Sequence, residues 1–464
     1  MTLEDYREAK IQWVTGQTGS SISEINVVIF VNLCGFFLWA CCQSYGFPNN
    51  GTSLVKRFGW EFTLLALISL SSQTFTEYNK FLAPGLLLTS LGVYFKLRGE
   101  KAPLENSQVS EEMYKKSISP NKITRKSYIS VYRALMMLLT CIAILAVDFP
   151  IFPRRFAKVE TYGTSLMDLG VGSFVFSAGV VAAKNYLPNI STKEVSFFKE
   201  MLNSFKSAFP LLVLGFARLL MVKGIEYQEH VTEYGVHWNF FITLGFLPIF
   251  VTLSRGLAKG ARFAGPLIII AYQVALYYGV EEYILNAPRI DLLSMNREGV
   301  FSFLGYLSIF LIGLESGVVV LPDPPTYKQR QKQPMILLIS AVMMWTLFHI
   351  VRGFLEIEVS RRMANLPYVL WVVAFNLTLL LVIMCIERFV NPNVFSPEIP
   401  FLLDSLNQNG LTVFLIANVL TGLINISIQT LYTSPLLSFV ICSAYMAIIC
   451  SIAVWLKLNG LRIR

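Results

Sequence analysis

Residues 146–172, AVDFPIFPRRFAKVETYGTSLMDLGVG, join two apolar runs and gather acids, bases and structure-breaking residues between them. The preceding run, at 129–147, is long enough to cross a bilayer as a helix, at about 1.5 Å per residue and about 20 residues per span. Pro150 and Pro153 prevent the helix from continuing, because proline lacks the N–H and disfavours the α conformation in the residue before it. The stretch therefore predicts a polar loop at a membrane surface, followed by a second span that begins near Thr164, a good N-cap.

Two aspartates flank this loop, and they lie in opposite helix-end fields. Asp148 follows the partly negative C-terminal end of one span and lies near hydrocarbon, so both effects raise its pKa. Asp168 lies one turn into the next span, where the helix N-terminus favours the anion. A carboxyl with a raised pKa suits a general base near neutral pH, which makes Asp148 the candidate base. The alternative is a structural role, in which Asp148 pairs with a cation of the loop, Arg154, Arg155 or Lys158.

The composition of the whole chain indicates a polytopic membrane protein. Of its 464 residues, 54% are hydrophobic and 14% are charged, and the mean hydropathy is +0.56, which excludes a set of soluble domains. The net charge of +9 does not indicate nucleic-acid binding, because the basic residues are scattered through short loops beside apolar runs. All seven cysteines fall in or beside apolar runs and form no CxxC pair, so we expect no disulfide framework and no thiolate metal site.

We predict an all-α polytopic fold with about 13 transmembrane helices, in a single domain that covers residues 1–464. An odd number of spans puts the termini on opposite sides, and most of the 38 Lys and Arg residues fall in loops that share a side with the C-terminus. The C-terminus is then cytosolic and the N-terminus lumenal, and the polar loop at about 97–128 is cytosolic. The predicted spans lie at roughly 22–43, 59–76, 81–96, 129–148, 164–184, 205–222, 237–255, 263–282, 300–321, 335–352, 367–386, 411–430 and 436–456.

Ionisable residues inside spans are costly and therefore indicate function by default. Asp168, Arg218 and Glu315 fall in predicted spans, and each is expected either to pair internally or to contact a substrate. The fifth span also carries a stripe of small residues at every seventh position, which favours close helix packing over a substrate groove. These residues are Ser165, Gly172 and Gly179.

A metal site is conceivable at Glu229, Glu233 and His237, because a spacing of four would place all three on one helix face. Gly235 interrupts that helix, however, and the chain contains no HExxH pattern. We therefore expect no metal here.

The segment VDFPIFPRRFAKVETYGTSLMDLGVGSFVFS, from Val147, resembles the signature of the inositol acyltransferases of GPI-anchor synthesis. The resemblance covers essentially the whole chain. It implies transfer of a fatty acyl group, usually palmitoyl from its CoA thioester, to the 2-hydroxyl of inositol in glucosaminyl-phosphatidylinositol, at the endoplasmic reticulum membrane. Three further segments resemble the same family: EYQEHVTEYGVHWNFF from Glu226, NREGVFSFLGYLSIFL from Asn296 and SRRMANLPYVLWV from Ser360.

The resemblance implies roles for two residues, and the residue types themselves suggest further ones. Asp148 and Lys158 match motif positions that are considered catalytic: Asp148 would be the base, and Lys158 would stabilise the oxyanion or orient Asp148. Arg154 and Arg155 stand on the lumenal side against the charge bias and would hold lipid or CoA phosphate. The other residues expected to bind substrate are Asp168, Arg297 and a polar and aromatic rim for the sugar or inositol headgroup, His237, Trp238 and Asn239.

The expected partners are small molecules and lipid rather than macromolecules. We expect no tightly bound cofactor, with acyl-CoA (palmitoyl-CoA) as a co-substrate, no nucleic acid, and a monomer. A polytopic lipid or small-molecule transporter is the rival function, since many spans with intramembrane charges would serve it equally well. Transporters often contain inverted repeats with broken helices at mid-membrane, and this chain shows no such self-similarity.

Overall fold

The computed structural model describes residues 3–48, 51–100, 114, 125–186, 197–224, 231–257, 261–324, 326–392, 394 and 397–462. These residues form helices and connecting loops and contain no β-strand, which confirms the all-α class. Glu229 lies outside the described residues, as does most of the polar loop at about 97–128. The helix before that loop continues to Glu100.

The helices follow one another along the chain with short connections. A π-helical turn at Phe62–Leu67 joins the third helix to the fourth, and another at Leu276–Val280 joins the eleventh to the twelfth. The α-helices are α1 (Leu3–Val14), α2 (Ile22–Ser44), α3 (Leu54–Glu61), α4 (Ile68–Thr74), α5 (Asn79–Glu100), α6 (Ser127–Ala146), α7 (Leu166–Ala182), α8 (Phe197–Gly224), α9 (Val231–Tyr234), α10 (Phe240–Leu257), α11 (Ala261–Ala275), α12 (Glu281–Asn286), α13 (Leu292–Met295), α14 (Arg297–Val320), α15 (Tyr327–Phe354), α16 (Leu366–Val390), α17 (Phe401–Gln408), α18 (Gly410–Ser427) and α19 (Pro435–Leu458).

Nine helices in the described part of the chain are long and apolar enough to cross a membrane. The four other predicted spans also coincide with helical segments, namely α3 with α4, then α5, α8 and α10. The protein is therefore a multi-pass membrane protein, and the count of 13 spans stays a prediction.

Helix α7 begins at a different cap from the one we expected. Ser165 has an extended backbone, and its Oγ accepts a hydrogen bond from the Asp168 amide at 3.1 Å. Thr164 instead donates its hydroxyl to the Ser20 carbonyl at 2.6 Å. The prediction of Thr164 as N-cap is wrong by one position, because a contact with a distant segment occupies its side chain.

The small residues of α7 allow its backbone to touch that of α14. A Cβ added at Gly179 would lie 2.2 Å from the Phe310 carbonyl oxygen, and one added at Gly313 would lie 2.5 Å from that of Phe176. At Gly172 side chains of α16 approach instead, since an added Cβ would lie 2.6 Å from Val372 Cγ2. Helices that pack without a hydrophobic driving force depend on such close backbone contact, so the prediction of close packing is confirmed for Gly172 and Gly179.

Polar contacts at the two ends of α6 locate the chain termini. After its C-terminal end, Asp148 lies 3.9 Å from Lys10, near the start of the chain. Before its N-terminal end, Arg125 pairs with Asp404, and Lys457, near the end of the chain, pairs with the same carboxylate at 2.7 Å. The two termini therefore lie at opposite ends of the bundle, as an odd number of spans requires. The assignment of these ends to lumen and cytosol stays a prediction.

Candidate active site

The loop between α6 and α7 is anchored by aromatic side chains rather than by regular structure. Phe149, Phe152 and Phe156 are fully buried, and the last two rings meet edge to face with centroids 6.2 Å apart. The second half of the loop is tied to the chain before α2, where the Ser20 amide donates to the Thr164 carbonyl at 2.7 Å. Because both halves are fixed, the charged residues between them are held in defined positions.

Asp148 lies under α18 and beside α1, largely shielded from solvent. Only 18% of its side chain is exposed, and its Oδ2 accepts a hydrogen bond from Asn425 Nδ2 at 2.7 Å. Burial raises the pKa of Asp148, while Lys10, the Asn425 hydrogen bond and Arg154 oppose that rise. The direction agrees with the sequence prediction, and its main cause is burial.

Lys158 lies in a different cluster from Asp148. Its Nζ donates to both carboxylate oxygens of Glu233 at 2.8 Å, and 36% of its side chain is exposed. No hydrogen bond or ion pair joins Lys158 to Asp148 among the described residues. The loop therefore brings the two candidate catalytic residues to the same end of the bundle without placing them in direct contact.

Asp168 is completely buried and serves as a junction between three segments. Its Oδ1 lies 2.7 Å from Arg361 Nε, and its Oδ2 accepts from the Ser165 hydroxyl at 2.7 Å and from the Val159 amide at 3.1 Å. The Tyr368 hydroxyl donates to its backbone carbonyl at 2.8 Å. Of the two expectations for Asp168, this geometry supports an internal ion pair rather than substrate contact. Two further ionisable residues in spans, exposed Arg218 and half-buried Glu315, form no ion pair within the described residues.

The two adjacent arginines have different surroundings. Arg155 is paired with Glu24 at 2.6 Å and donates to the Thr76 hydroxyl at 3.0 Å. Arg154 donates one hydrogen bond, from Nη1 to the Val147 carbonyl at 2.6 Å, and stacks its guanidinium over the Trp13 ring at 4.7 Å.

Two nitrogen atoms of the Arg154 guanidinium have hydrogen-bond donors that the described residues do not use. Its Nε and Nη2 are buried and have no hydrogen-bond partner among the described residues. Burial also lowers the pKa of Arg154 to about 10, against the opposing effect of Asp148. A buried donor without a partner costs about 1–3 kcal/mol, so Arg154, unlike Arg155, has hydrogen-bonding capacity that the described residues leave unused.

Arg297 belongs to a second buried cluster, around Glu298. The Glu298 carboxylate is fully buried and pairs with Arg289 and with Arg362, the latter at 2.9 Å. Arg297 Nε donates to the Ile284 carbonyl at 2.7 Å and lies 3.8 Å from the same carboxylate. Arg297 is thus 4% exposed and engaged with the protein itself.

The expected rim at His237 is likewise held by internal bonds. The amides of His237 and Trp238 both donate to Asn296 Oδ1, at 2.7 and 3.0 Å. The indole of Trp238 donates to the Thr243 hydroxyl at 2.8 Å. Asn239 is buried at the start of α10, where it donates to the Gly215 carbonyl at 2.9 Å and accepts from two amides of the first turn. These contacts orient the start of α10.

No group of three His, Cys, Asp or Glu side chains in the described part of the chain is arranged to hold a metal ion.

Comparison with known proteins identifies the family of this chain. The GWT1 family model matches residues 6–456. The chain belongs to the GWT1 family. Its relatives include the GPI-anchored wall transfer protein 1 of Yarrowia lipolytica, 43% identical over 483 residues, and the proteins of that name in Aspergillus fumigatus and Saccharomyces cerevisiae, each 39% identical. The alignments cover between 97% and 99% of each chain, which confirms the resemblance seen in the four segments.

Several residues at this end of the GWT1-family chain have roles that the sequence indicates only weakly. Arg361 lies in the segment from Ser360, one of the four that resemble the family, where a pair of arginines between apolar runs indicates a functional or structural role. Asn425 is a polar residue inside an apolar span, which is a weaker indication. The spacing of Glu233 from Glu229 and His237 suggests a metal ligand and does not indicate a pair with Lys158, and Lys10 lies in a polar segment without a distinguishing pattern.

Proposed function

We propose that this protein acts in GPI-anchor biosynthesis, as an acyl-CoA-dependent acyltransferase that acylates the 2-hydroxyl of inositol in glucosaminyl-phosphatidylinositol at the endoplasmic reticulum membrane. Membership of the GWT1 family supports the pathway, since the relatives over the full length are named GPI-anchored wall transfer protein 1. The proposal involves no tightly bound cofactor, and the acyl-CoA is a co-substrate of a monomeric enzyme.

The observation that carries the chemistry is the environment of Asp148. Its Oδ2 is held by Asn425, while its Oδ1 accepts no hydrogen bond from the described residues. One oxygen is thus positioned and the other is left for a substrate hydroxyl. Burial raises the pKa of this carboxyl, which brings its basicity closer to that needed near neutral pH.

Asp148 and the two substrates account for every proton and bond in the proposed reaction. Asp148 takes the proton of the inositol 2-hydroxyl as that oxygen attacks the thioester carbonyl carbon. The carbon–sulfur bond then breaks and the CoA thiolate leaves, taking up the proton that Asp148 held. A secondary alcohol is a poor nucleophile and needs this base, whereas a thiolate leaves with little acid help.

Lys158 suits stabilisation of the negative charge that develops on the carbonyl oxygen. An ammonium has three donors, and the pair with Glu233 uses two of them. The third donor and the partly exposed position leave Lys158 able to contact a substrate oxygen, and Glu233 fixes its direction.

Arg154 suits the phosphate of a substrate. Its unused buried donors, Nε and Nη2, form one edge of the planar guanidinium, and such an edge matches two phosphate oxygens. Arg155 is already occupied by Glu24 and Thr76, so it supports the loop rather than the ligand.

The experiment that tests the proposal uses the purified full-length protein. Radiolabelled palmitoyl-CoA is supplied with glucosaminyl-phosphatidylinositol or with the same lipid carrying a methyl ether at the inositol 2-oxygen. We expect labelled lipid from the first acceptor and none from the second. Equal labelling of both acceptors would overturn the assignment of the 2-hydroxyl, and no labelling of either would overturn the acyltransferase.

A further inference from the structure

The N-terminal helix α1 contacts the two residues at the centre of the proposed chemistry. Lys10 lies 3.9 Å from Asp148 Oδ1, and the ring of Trp13 lies against the Arg154 guanidinium with 4.7 Å between carbon and ring centre. Positions three apart share one face of a helix, so one side of α1 covers this part of the loop. The first turns of α1 are held separately, since the Tyr6 ring packs on Tyr432 with centroids 5.8 Å apart.

Lys10 makes its shortest polar contact with Asn425. Its Nζ donates to Asn425 Oδ1 at 2.6 Å, and the Thr430 hydroxyl donates to the same oxygen at 3.3 Å. The other end of the amide, Nδ2, donates to Asp148 Oδ2 at 2.7 Å and to the Thr421 carbonyl at 3.0 Å. The amide of Asn425 therefore stands between an ammonium and a carboxylate.

The chemistry of these groups allows only one orientation of the amide. An ammonium has donors and no acceptor, and an ionised carboxylate has acceptors and no donor. With Lys10 present, the amide oxygen must face Lys10, so the NH2 group must face Asp148. Asp148 and the Thr421 carbonyl hold the NH2 end of the amide. Lys10 is the charged donor that holds its oxygen end, so loss of Lys10 leaves that end with only the 3.3 Å contact from Thr430.

We propose that Lys10 is a positioning residue, which holds Asn425 and through it the Asp148 carboxylate in the arrangement that acyl transfer requires. This inference rests on the proposed function, because it assigns Lys10 to the base of that reaction. Lys10 donates its hydrogen bond to Asn425 and lies 3.9 Å from Asp148 Oδ1, so it acts on the base without a hydrogen bond to it.

The charge of Lys10 acts in the same direction as its hydrogen bond. The groups that face Asp148 are Lys10 from α1, Arg154 from its own loop, Asn425 from α18, and Cys442 and Tyr445 from α19. Lys10 and Arg154 are the cations among them, and both oppose the rise in the pKa of Asp148 that burial causes. Loss of Lys10 therefore raises that pKa further, and the fraction of Asp148 available as a base falls at any pH below it.

The test compares full-length Lys10→Met and Lys10→Arg with the unchanged protein. The palmitoyl transfer assay is run from about pH 6 to pH 9, with kcat and KM measured for both substrates. For Lys10→Met we expect kcat to fall by about tenfold at the acid end of this range, through the weaker hold on Asn425 and the higher pKa of Asp148, with a smaller loss at the alkaline end and an unchanged KM. Lys10→Arg keeps the charge and a donor, and should restore most of the activity. Lys56→Met, at an exposed position of α3, is the control and should match the unchanged protein.

The outcomes separate this inference from the function it rests on. A Lys10→Met enzyme with normal kcat and a normal pH profile would overturn the positioning role. So would a loss that is equal at every pH, is not restored by arginine and accompanies a lower melting temperature, because that pattern belongs to a structural residue. If the unchanged protein transfers no palmitoyl group, the proposed function itself fails.

Discussion

Asn425 donates a hydrogen bond of 2.7 Å to Asp148 across 277 positions of the chain. This contact joins α18 to the loop after α6 and fixes one oxygen of the candidate base. A polar residue of an apolar helix therefore contacts the candidate base directly.

Replacement of Asn425 by alanine should slow acyl transfer without unfolding the protein. The variant loses the hydrogen bond to the Asp148 carboxylate and the tie to Lys10. Hydrogen bonds to charged groups contribute about 1.5–3 kcal/mol, so kcat should fall by roughly ten- to a hundredfold. The lost bond favoured the ionised acid, so the pKa of Asp148 should rise and the defect should be larger at pH 6 than at pH 9.

The matched control for this variant is Asn418→Ala. Asn418 lies on the same helix, is exposed, and donates only to the Phe414 carbonyl in its own helix at 2.7 Å. It should leave kcat and the pH profile unchanged. If both asparagine variants were equally impaired, the effect would belong to α18 as a whole and not to the contact with Asp148.

Replacement of Asp148 by asparagine should remove most of the activity. The change keeps the shape of the side chain and abolishes its basicity, so acyl transfer should fall by roughly two to four orders of magnitude, the usual contribution of general-base catalysis. Binding of acyl-CoA and the melting temperature should change little. Near-normal turnover of this variant, or a loss that unfolding explains completely, would return Asp148 to a structural role.

Replacement of Asp168 by asparagine should act on stability instead. This change leaves Arg361 buried opposite a neutral partner, and breaking a buried ion pair in this way costs about 3–5 kcal/mol. We expect a clearly lower melting temperature in detergent, and a kcat per folded molecule close to normal. A variant with unchanged stability and a strongly reduced kcat would show that Asp168 acts in the chemistry.

The adjacent arginines should respond differently to a change to lysine. Arg154→Lys keeps the charge but loses the two-donor edge that faces no protein acceptor among the described residues, so the KM for one substrate should rise with kcat comparatively intact. Arg155→Lys should change KM little, because Arg155 pairs with Glu24 at the protein surface. A higher KM for the lipid acceptor would indicate that Arg154 binds the lipid phosphate, and a higher KM for acyl-CoA would indicate a CoA phosphate. An unchanged KM in Arg154→Lys would leave Arg154 with a structural role only.

The orientation in the membrane can be tested with glycosylation acceptors. A site added before Met1 should be glycosylated and one added after Arg464 should not, because we predict a lumenal N-terminus and a cytosolic C-terminus. Each site is placed on a flexible spacer and detected by a shift in gel mobility that a glycosidase reverses. The reverse result would place the Asp148 end of the bundle in the cytosol.

The sequence by itself determined the class of the fold and the location of the loop. Long apolar runs must form helices in a bilayer, because every backbone N–H and C=O has to be satisfied within the segment, and the predicted spans accordingly coincide with helices. Pro150 and Pro153 end α6 through local geometry that needs no distant partner. The small residues of α7 likewise predict close helix packing, but their pattern does not identify α14 as the helix that packs against them.

Only the tertiary structure decided which charged groups meet. The loop sequence predicts that Lys158 approaches Asp148, ten residues away, yet Lys158 pairs with Glu233, 75 positions further along the chain. Asp168 meets Arg361, and Asp148 meets Asn425 and Lys10, all from other segments. The physical reason is that a charged side chain can pair only with groups that helix packing brings within a few ångströms of it. That packing depends on contacts between whole helix faces. The residues next to Asp148 in the sequence contain no information about those contacts.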